Sequence, residues 1–446
     1  MAVKVRQTKD RDFLAELTGD RLSDWLATSL ANDPITAWRK ESLTRARQLP
    51  TPSNKDEDYK YIDLRRLDLS ELTPIEVINT RNRNGSRTTE IAAGSRSIPD
   101  LPNRLRFADH AGDNVDDYFF GSLADGAAQM PERVAHYLRF CDQQFPAGKL
   151  ALLSHAYLSN GVLFYLPAER VLRAPRQLFV KLAGENALTS YTKLVIAEPQ
   201  SQADLVWDIS AEANASGFFN GTLDIVAHAG SKLTILLSQE LAGKLSSALT
   251  VRAYLEENAE VEIATINAGG NVVQVEIDLQ LAGRGSRGIV NGIYLAGERE
   301  NFNFLTHQNH QVGDTNTEVY CAGTLSGRSA VSYLGKITIA EGAQRSDAYQ
   351  TNRNLVLNRG VRVNSSPKLE ISANDVRCSH GATTARVSDL EMYYLRSRGL
   401  DRQTAKVMLA EGFLQQVKSR VQGETLKQGF ADRLGWLLEN WSDNAA

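Results

Sequence analysis

From about residue 150 to about residue 385, the chain consists of many short apolar or β-branched runs. Most of these runs are followed within a few residues by Gly, Asn, Asp or Ser; examples lie at 178–182, 193–196, 223–226, 233–236 and 261–263. Short runs punctuated by turn residues are typical of β-strands, and no helical period persists over this stretch. The pattern therefore predicts a mainly β core over residues 151–386.

Small turn residues recur within this stretch at a nearly constant interval. Gly230, Asn258 and Gly285 each precede a strand-like run, and they are 28 and 27 residues apart. A repeat of this length is typical of a β-solenoid, in which each coil buries one face against its neighbours. A β-sandwich gives short strands with the same punctuation. The residues themselves leave both architectures open.

Helical patterns flank the core on both sides. Apolar residues recur at helix-like intervals over 11–48, and the polar, glycine- and proline-containing segment at 79–102 predicts a linker. We therefore expect a mainly helical N-terminal region at 1–150. The helical pattern returns in a C-terminal domain at 387–446.

The C-terminal region begins with a helix start signal. Ser388 and Glu391 have the spacing of a capping box, and Gly399 is placed to end that helix. Two further helices, the first after Asp401, carry apolar stripes. Such stripes fit either packing within a small helical domain or the docking of a partner.

The composition narrows the expected partners and location. Lys and Arg total 50 against 53 Asp and Glu, a formal charge of -3, so neither nucleic acid nor a membrane surface is an expected partner. Residues 1–10 do not resemble a signal peptide, and no run of about 18 apolar residues occurs. Cys141, Cys321 and Cys378 form an odd, widely spaced set that suits a reducing compartment. We expect a soluble cytoplasmic protein.

The common catalytic and nucleotide-binding signatures are missing. Gly283, Gly285 and Gly288 fit the spacing G-x-G-x-x-G, but a strand-like run follows where that motif needs a helix, so we interpret them as a turn. The sequence contains no G-x-x-x-x-G-K-[ST], H-E-x-x-H, C-x-x-C or G-x-S-x-G pattern. It therefore predicts no enzymatic activity, and any ATP chemistry must come from a partner.

Two histidine-containing segments are candidates for metal chemistry. His307 and His310 are three residues apart in a strand-rich region, so they should point to opposite faces and act as hydrogen-bonded groups. If the segment around Cys378 is extended, Cys378 and His380 project from the same face while Ser379 points away. Thiolate and imidazole both suit iron or an iron–sulfur cluster. Two ligands cannot close a four-ligand site, and a buried cysteine beside a structural histidine is the alternative.

Four segments resemble the SufB/SufD family of iron–sulfur cluster assembly proteins. The longest resemblance covers 368–383 and continues at 394–399, and further agreement occurs at 347–355. The segment 54–64 is similar to the family element K-x-E-x-W-[KR]-Y, with Tyr59 in place of the usual Trp.

This resemblance implies a right-handed parallel β-helix core with N-terminal and C-terminal α-helical segments, which would exclude the sandwich. It implies a non-catalytic scaffold subunit that pairs with a SufB-type subunit through the β-helix and binds the SufC ATPase through the C-terminal helices. A transient iron–sulfur cluster would form at the shared interface, with none stably bound to the chain alone. In isolation the chain could instead pair with a second copy.

Within the family, the Cys-Ser-His-Gly-Ala-Thr run at 378–383 resembles the SufD branch, whereas SufB typically has E-H-E-A-x-T there. The resemblance implies that His380, with Cys378 as a second candidate, contributes to a shared interfacial metal site. A SufB-like cluster scaffold is the nearer alternative. A carbohydrate-active β-helix enzyme is the more distant one, because neither a signal peptide nor a cluster of catalytic charged residues is present.

Overall fold

The computed structural model describes residues 118–444 except 147, 159 and 242. Before these it describes 35–61 without 54, several positions between 66 and 79, the strand 104–108, Leu14 and Leu17. Of the helical pattern predicted over 11–48, a helix is present from Thr36 to Gln48, and most of the remainder lies outside the described residues. The predicted linker at 79–102 also lies outside them, apart from Asn79.

The described N-terminal elements are short helices and strands, and a 3-10 turn lies at Glu57–Tyr59. The helices are α1 (Thr36–Gln48), α2 (Leu123–Gln129), α3 (Pro131–Gln144) and α4 (Lys149–Ala156). The strands are β1 (Thr73–Pro74), β2 (Ile78–Asn79), β3 (Arg104–Ala108) and β4 (Phe119–Ser122).

The strands β5 to β20 form the core. They are β5 (Asn160–Leu166), β6 (Arg176–Leu182), β7 (Ala187–Ala197), β8 (Gln202–Ala211), β9 (Ser216–Ala227), β10 (Lys232–Leu241), β11 (Lys244–Leu255), β12 (Glu260–Gly269), β13 (Val272–Leu281), β14 (Arg287–Ala296), β15 (Asn301–His310), β16 (Asn316–Leu325), β17 (Ala330–Ile339), β18 (Ser346–Val356), β19 (Arg362–Ile371) and β20 (Val376–Arg386).

Core strands pair with the strand two positions further along the chain, and these pairs are parallel. Consecutive strands therefore alternate between two sheets, sheet A with β5, β7 and onward to β19, and sheet B with β6, β8 and onward to β20. Two strands and their turns make one coil. This pairing confirms the parallel β-helix and excludes the sandwich, whose neighbouring strands are antiparallel.

One corner of the β-helix repeats the same backbone conformation coil after coil. The residues there have positive φ, and they are Gln200, Gly230, Asn258, Gly285, Asp314 and Arg345. The amide of Gly230 donates to the carbonyl of Glu257 on the next coil, and the amide of Asn258 donates to the carbonyl of Arg284. The repeat predicted from Gly230, Asn258 and Gly285 is this stack of left-handed turn residues.

The first coil has neighbours before it on both sheets. The strand β4 pairs antiparallel with β5 in sheet A, and β3 pairs antiparallel with β6 in sheet B. On the outer face of sheet A, α1 and α4 pack against Leu188 and Phe218 in one apolar cluster. The β-helix is therefore covered where it begins.

Three helices follow the β-helix: α5 (Asp389–Ser397), α6 (Arg402–Lys418) and α7 (Glu424–Asn444). Ser388 caps α5 with the predicted capping box, because its hydroxyl accepts from the Glu391 amide and the Glu391 carboxylate accepts from the Ser388 amide. The helices α6 and α7 cover apolar residues on the outer face of sheet B. Among the described residues, no helix is long and apolar enough to cross a bilayer.

An ion-paired contact fixes α7 on sheet B. The Arg433 guanidinium lies 2.9 Å from an Asp208 carboxylate oxygen and 3.0 Å from one of Glu240. Both carboxylates lie on the outer face of sheet B, so one arginine on α7 joins two neighbouring strands. The C-terminal domain is thus attached to the β-helix along its side.

Burial of His310 predicts a pH-dependent stability. The ring of His310 lies between the hydroxyls of Thr315 and Thr317, at 2.7 and 2.8 Å, and burial lowers its pKa to about 4. An unfolded histidine titrates near 6.5, so the unfolded state takes up the proton first as the pH falls. This group's contribution to stability is therefore complete above pH 6.5 and is lost towards pH 4.

We expect the free energy of unfolding to fall by about 1.4 kcal/mol between pH 7.5 and 5.5 through this group. Urea denaturation at several pH values measures it. His310→Gln should reduce the slope, whereas the control His136→Gln, at an exposed histidine, should leave it unchanged. An identical pH dependence in His310→Gln and the parent would contradict the assignment.

Candidate functional site

The last coil of the β-helix has no following coil among the described residues. The strand β19 ends the strand order of sheet A, and β20 ends that of sheet B. Each pairs on one side only, β19 with β17 and β20 with β18. The other edge of each strand therefore has backbone N–H and C=O groups that no strand of the described chain satisfies. This end of the β-helix, formed by β19 and β20, is called the open end.

The candidate residues Cys378 and His380 both lie on β20, above buried residues of β18. The register places Cys378 beside Ala348 and His380 beside Gln350, and both partners are interior residues. Because neighbouring strands align their side chains in rows, Cys378 and His380 continue two interior rows to the open end. The predicted same-face projection is present in the structure.

Cys378 is half-buried at the edge of a small apolar cluster. It packs with Val376 against residues that include Ile337, Ile339 and Ala348. Burial raises the pKa of the Cys378 thiol, and a hydrogen bond from the Ala348 backbone offsets part of that shift. The raised pKa disfavours the thiolate form of Cys378, so a thiolate ligand here would be favoured by an additional positive charge nearby.

His380 is exposed, and it makes no hydrogen bond or ion pair within the part of the chain that the structure describes. Its neighbour on β18, Gln350, is 2% exposed and donates from Nε2 to the carbonyl oxygen of Gly335, 3.2 Å away. The imidazole is thus at the surface of the open end with its nitrogens available to another molecule.

A buried polar network lies beneath the open end, and sequence analysis assigned it no role. Asn352 donates from Nδ2 to the Tyr294 hydroxyl at 2.8 Å, that hydroxyl donates to Asn354 at 2.6 Å, and the Ser365 hydroxyl donates to Asn352 at 2.9 Å. The alternation of Gln350, Asn352 and Asn354 in a strand is the signal that could have found it, because these positions face the interior.

The N-terminal family element reaches the same end of the molecule. Glu57 forms an ion pair with Lys368 on β19, and the Tyr59 hydroxyl accepts from Nε2 of Gln274, 3.0 Å away. Glu57 and Lys368, which belong to two segments that resemble the family, are therefore in contact at β19.

The other candidates lie apart from this end. His310 faces the interior and His307 faces outward, where its Nδ1 is 3.3 Å from an Asp278 carboxylate oxygen. This confirms that they point to opposite faces. Cys141 and Cys321 are buried, and burial raises the pKa of both thiols. Among the described residues, no group of three or more His, Cys, Asp or Glu side chains could hold a metal ion. The candidate ligands at the open end are Cys378 and His380.

The chain belongs to the SufBD family, because the model described as SUF system FeS cluster assembly, SufBD core domain, matches residues 180–413, more than half of its length. The fold alone also suits a carbohydrate-active β-helix enzyme, and this family membership argues against that alternative.

Among its relatives, the chain is similar to the iron–sulfur cluster assembly protein SufD of Escherichia coli, with 32% identity over 41% of this chain and 44% of SufD. It is 28% identical to an iron–sulfur cluster assembly SufBD family protein of Mycobacterium leprae over 46% of this chain and 55% of the relative. The chain thus spans about half the length of these two relatives. A SufBD family protein of Synechocystis is 24% identical over 84% of both chains.

The burial of the three cysteines predicts selective thiol chemistry. A thiol reagent such as iodoacetamide should modify Cys378 alone in the folded chain and all three cysteines in denaturant. Because the pKa of Cys378 is raised, the rate should still increase above pH 9. Mass spectrometry of the labelled chain measures both effects. Cys378→Ser should abolish the labelling of the folded chain, and equally fast labelling of Cys141 or Cys321 would contradict the structure.

Proposed function

We propose that this chain is a SufD-type, non-catalytic scaffold subunit of the SUF iron–sulfur cluster assembly complex. The observation that carries the proposal is the position of Cys378 and His380, side by side on an end strand whose free edge faces away from the core. Two ligands at an unpaired edge suit a cluster that is cargo shared with a second subunit. The isolated chain then holds no cluster stably.

The partner at this edge is a SufB-type subunit that adds its own β-helix. The free edges of β19 and β20 provide backbone hydrogen-bonding groups for such pairing. Leu369 and Ile371 on β19 are 37% and 40% exposed. Their side chains would add apolar contacts with the partner to the backbone hydrogen bonds at the edge. In the absence of that partner, a second copy of this chain offers the same edge.

The SufC ATPase is proposed to dock on the C-terminal helices. None of the residues of α5 is buried, and its Leu390 and Tyr393 are 76% and 71% exposed. Tyr394 on α5 and Met408 on α6 are also exposed, at 57% and 54%. The buried faces of α6 and α7 are already occupied by sheet B, so the exposed surface of α5 is the part left for a partner.

Substitution of His380 tests the cluster role. His380→Ala should leave the melting temperature within about 2 °C of the parent, because the side chain is exposed and makes no described hydrogen bond. Complex formation should persist, while cluster transfer to a client apoprotein should fall on the order of tenfold. Thermal melting, co-purification and client activity are measured on the same variant.

The matched control is Ser379→Ala, which changes the same strand on its opposite face. It should retain cluster transfer. If His380→Ala melts at a lower temperature and forms proportionally less complex, His380 has a structural role instead. If both variants transfer clusters equally well, His380 does not take part in the cluster site.

Substitution on α5 tests the docking of the ATPase. The double variant Leu390→Ala/Tyr393→Ala should weaken SufC binding about 30-fold, as expected for a contact worth about 2 kcal/mol. The fold should persist because neither side chain is buried. Binding is measured by calorimetry with purified SufC. Tyr61→Ala, another exposed aromatic residue, is the control, and unchanged binding by the double variant would move the docking site elsewhere.

A further inference from the structure

A lysine lies inside the β-helix. Lys193 on β7 occupies an interior row between Val162 of β5 and Leu223 of β9, and it is fully buried. Its ammonium has no hydrogen-bond partner. Burial lowers the pKa of Lys193 to about 8, and no nearby charge contributes to this shift. An ammonium held in this way is costly, because its hydration is lost and the nearby rings of Trp207 and Tyr191 offset only part of that loss.

The groups around Lys193 also lack partners. Its Nζ lies 5.5 Å from the Trp207 ring centroid and 6.0 Å from that of Tyr191. The Trp207 indole N–H and the Tyr191 hydroxyl are buried without a hydrogen bond. Lys193, Tyr191 and Trp207 are named the Lys193 cluster.

The Lys193 cluster differs from the polar network beneath the open end. There, Asn352, Asn354 and Tyr294 satisfy one another. Buried polar groups in proteins are almost always hydrogen-bonded to protein, water or a ligand, so three unpaired side chains together indicate a bound species. The cluster presents an ammonium, an indole N–H and a hydroxyl, each of which can donate a hydrogen bond.

We propose that the Lys193 cluster encloses one small monovalent anion of halide size, independently of the scaffold role. Such an ion would accept hydrogen bonds from the ammonium and the indole, and it would neutralise a charge that no carboxylate balances. Water could satisfy the donors but would leave the charge unbalanced. Lys193, Tyr191 and Trp207 are each 0% exposed, so an ion bound among them would be cut off from solvent and would have to be small.

Bromide is a suitable probe because its anomalous scattering distinguishes it from water. Crystals of the full chain grown in bromide should show an anomalous peak within hydrogen-bond distance of Lys193 Nζ. Crystals of Lys193→Met, which keeps the chain length without the charge, should lack it. Trp207→Phe keeps the lysine and removes one donor, so its peak should be weaker. A peak absent from the parent, or one unchanged in Lys193→Met, would overturn the proposal.

Thermal melting provides a second readout at matched ionic strength. The parent should melt a few degrees higher in sodium bromide than in a bulky sulfonate salt, because only the small ion enters and stabilises the folded state. Lys193→Met should show no such difference beyond the general salt effect seen in both proteins. An equal response of the two proteins to both salts would contradict an enclosed anion.

Discussion

The parallel stacking of coils is the constraint on which the rest of the structure depends. Each core strand satisfies its backbone groups through the strands of the preceding and following coils, so the stack must end on strands that are satisfied on one side only. At the beginning of the stack, β3 and β4 supply the missing neighbours. At the other end, no following strand pairs with β19 or β20 among the described residues, and the candidate residues Cys378 and His380 lie there on β20.

Much of this architecture was accessible from the sequence. The punctuation by Gly230, Asn258 and Gly285 indicated coils because a turn that needs a left-handed residue must recur once per coil. Periodicity alone could not separate a solenoid from a sandwich, since both contain short strands, and the family resemblance made that choice. The capping box at Ser388 and Glu391 was predictable because it depends on local contacts only. The same-face geometry of Cys378 and His380 followed from strand alternation.

Features that depend on contacts between distant residues could not be predicted. The attachment of α7 through Arg433 requires the register of β8 and β10, which no local pattern reveals. Lys193 begins a run that predicts a strand, but the sequence does not show which face of that strand is inside when both sheet faces are covered. The raised pKa of Cys378 likewise comes from burial against an apolar cluster that includes Ile337 and Ile339, about 40 residues earlier in the chain.

Hydrogen–deuterium exchange tests the central claim, that the open end is the surface shared with the SufB-type subunit. The amides of Arg362–Ile371 and Val376–Arg386 should exchange fast at the free edges in the isolated chain and slow markedly once the complex with SufB and SufC forms. The amides of β9 to β14, satisfied on both sides, should change little. Unchanged exchange in β19 and β20 within an intact complex, with protection elsewhere, would contradict the account.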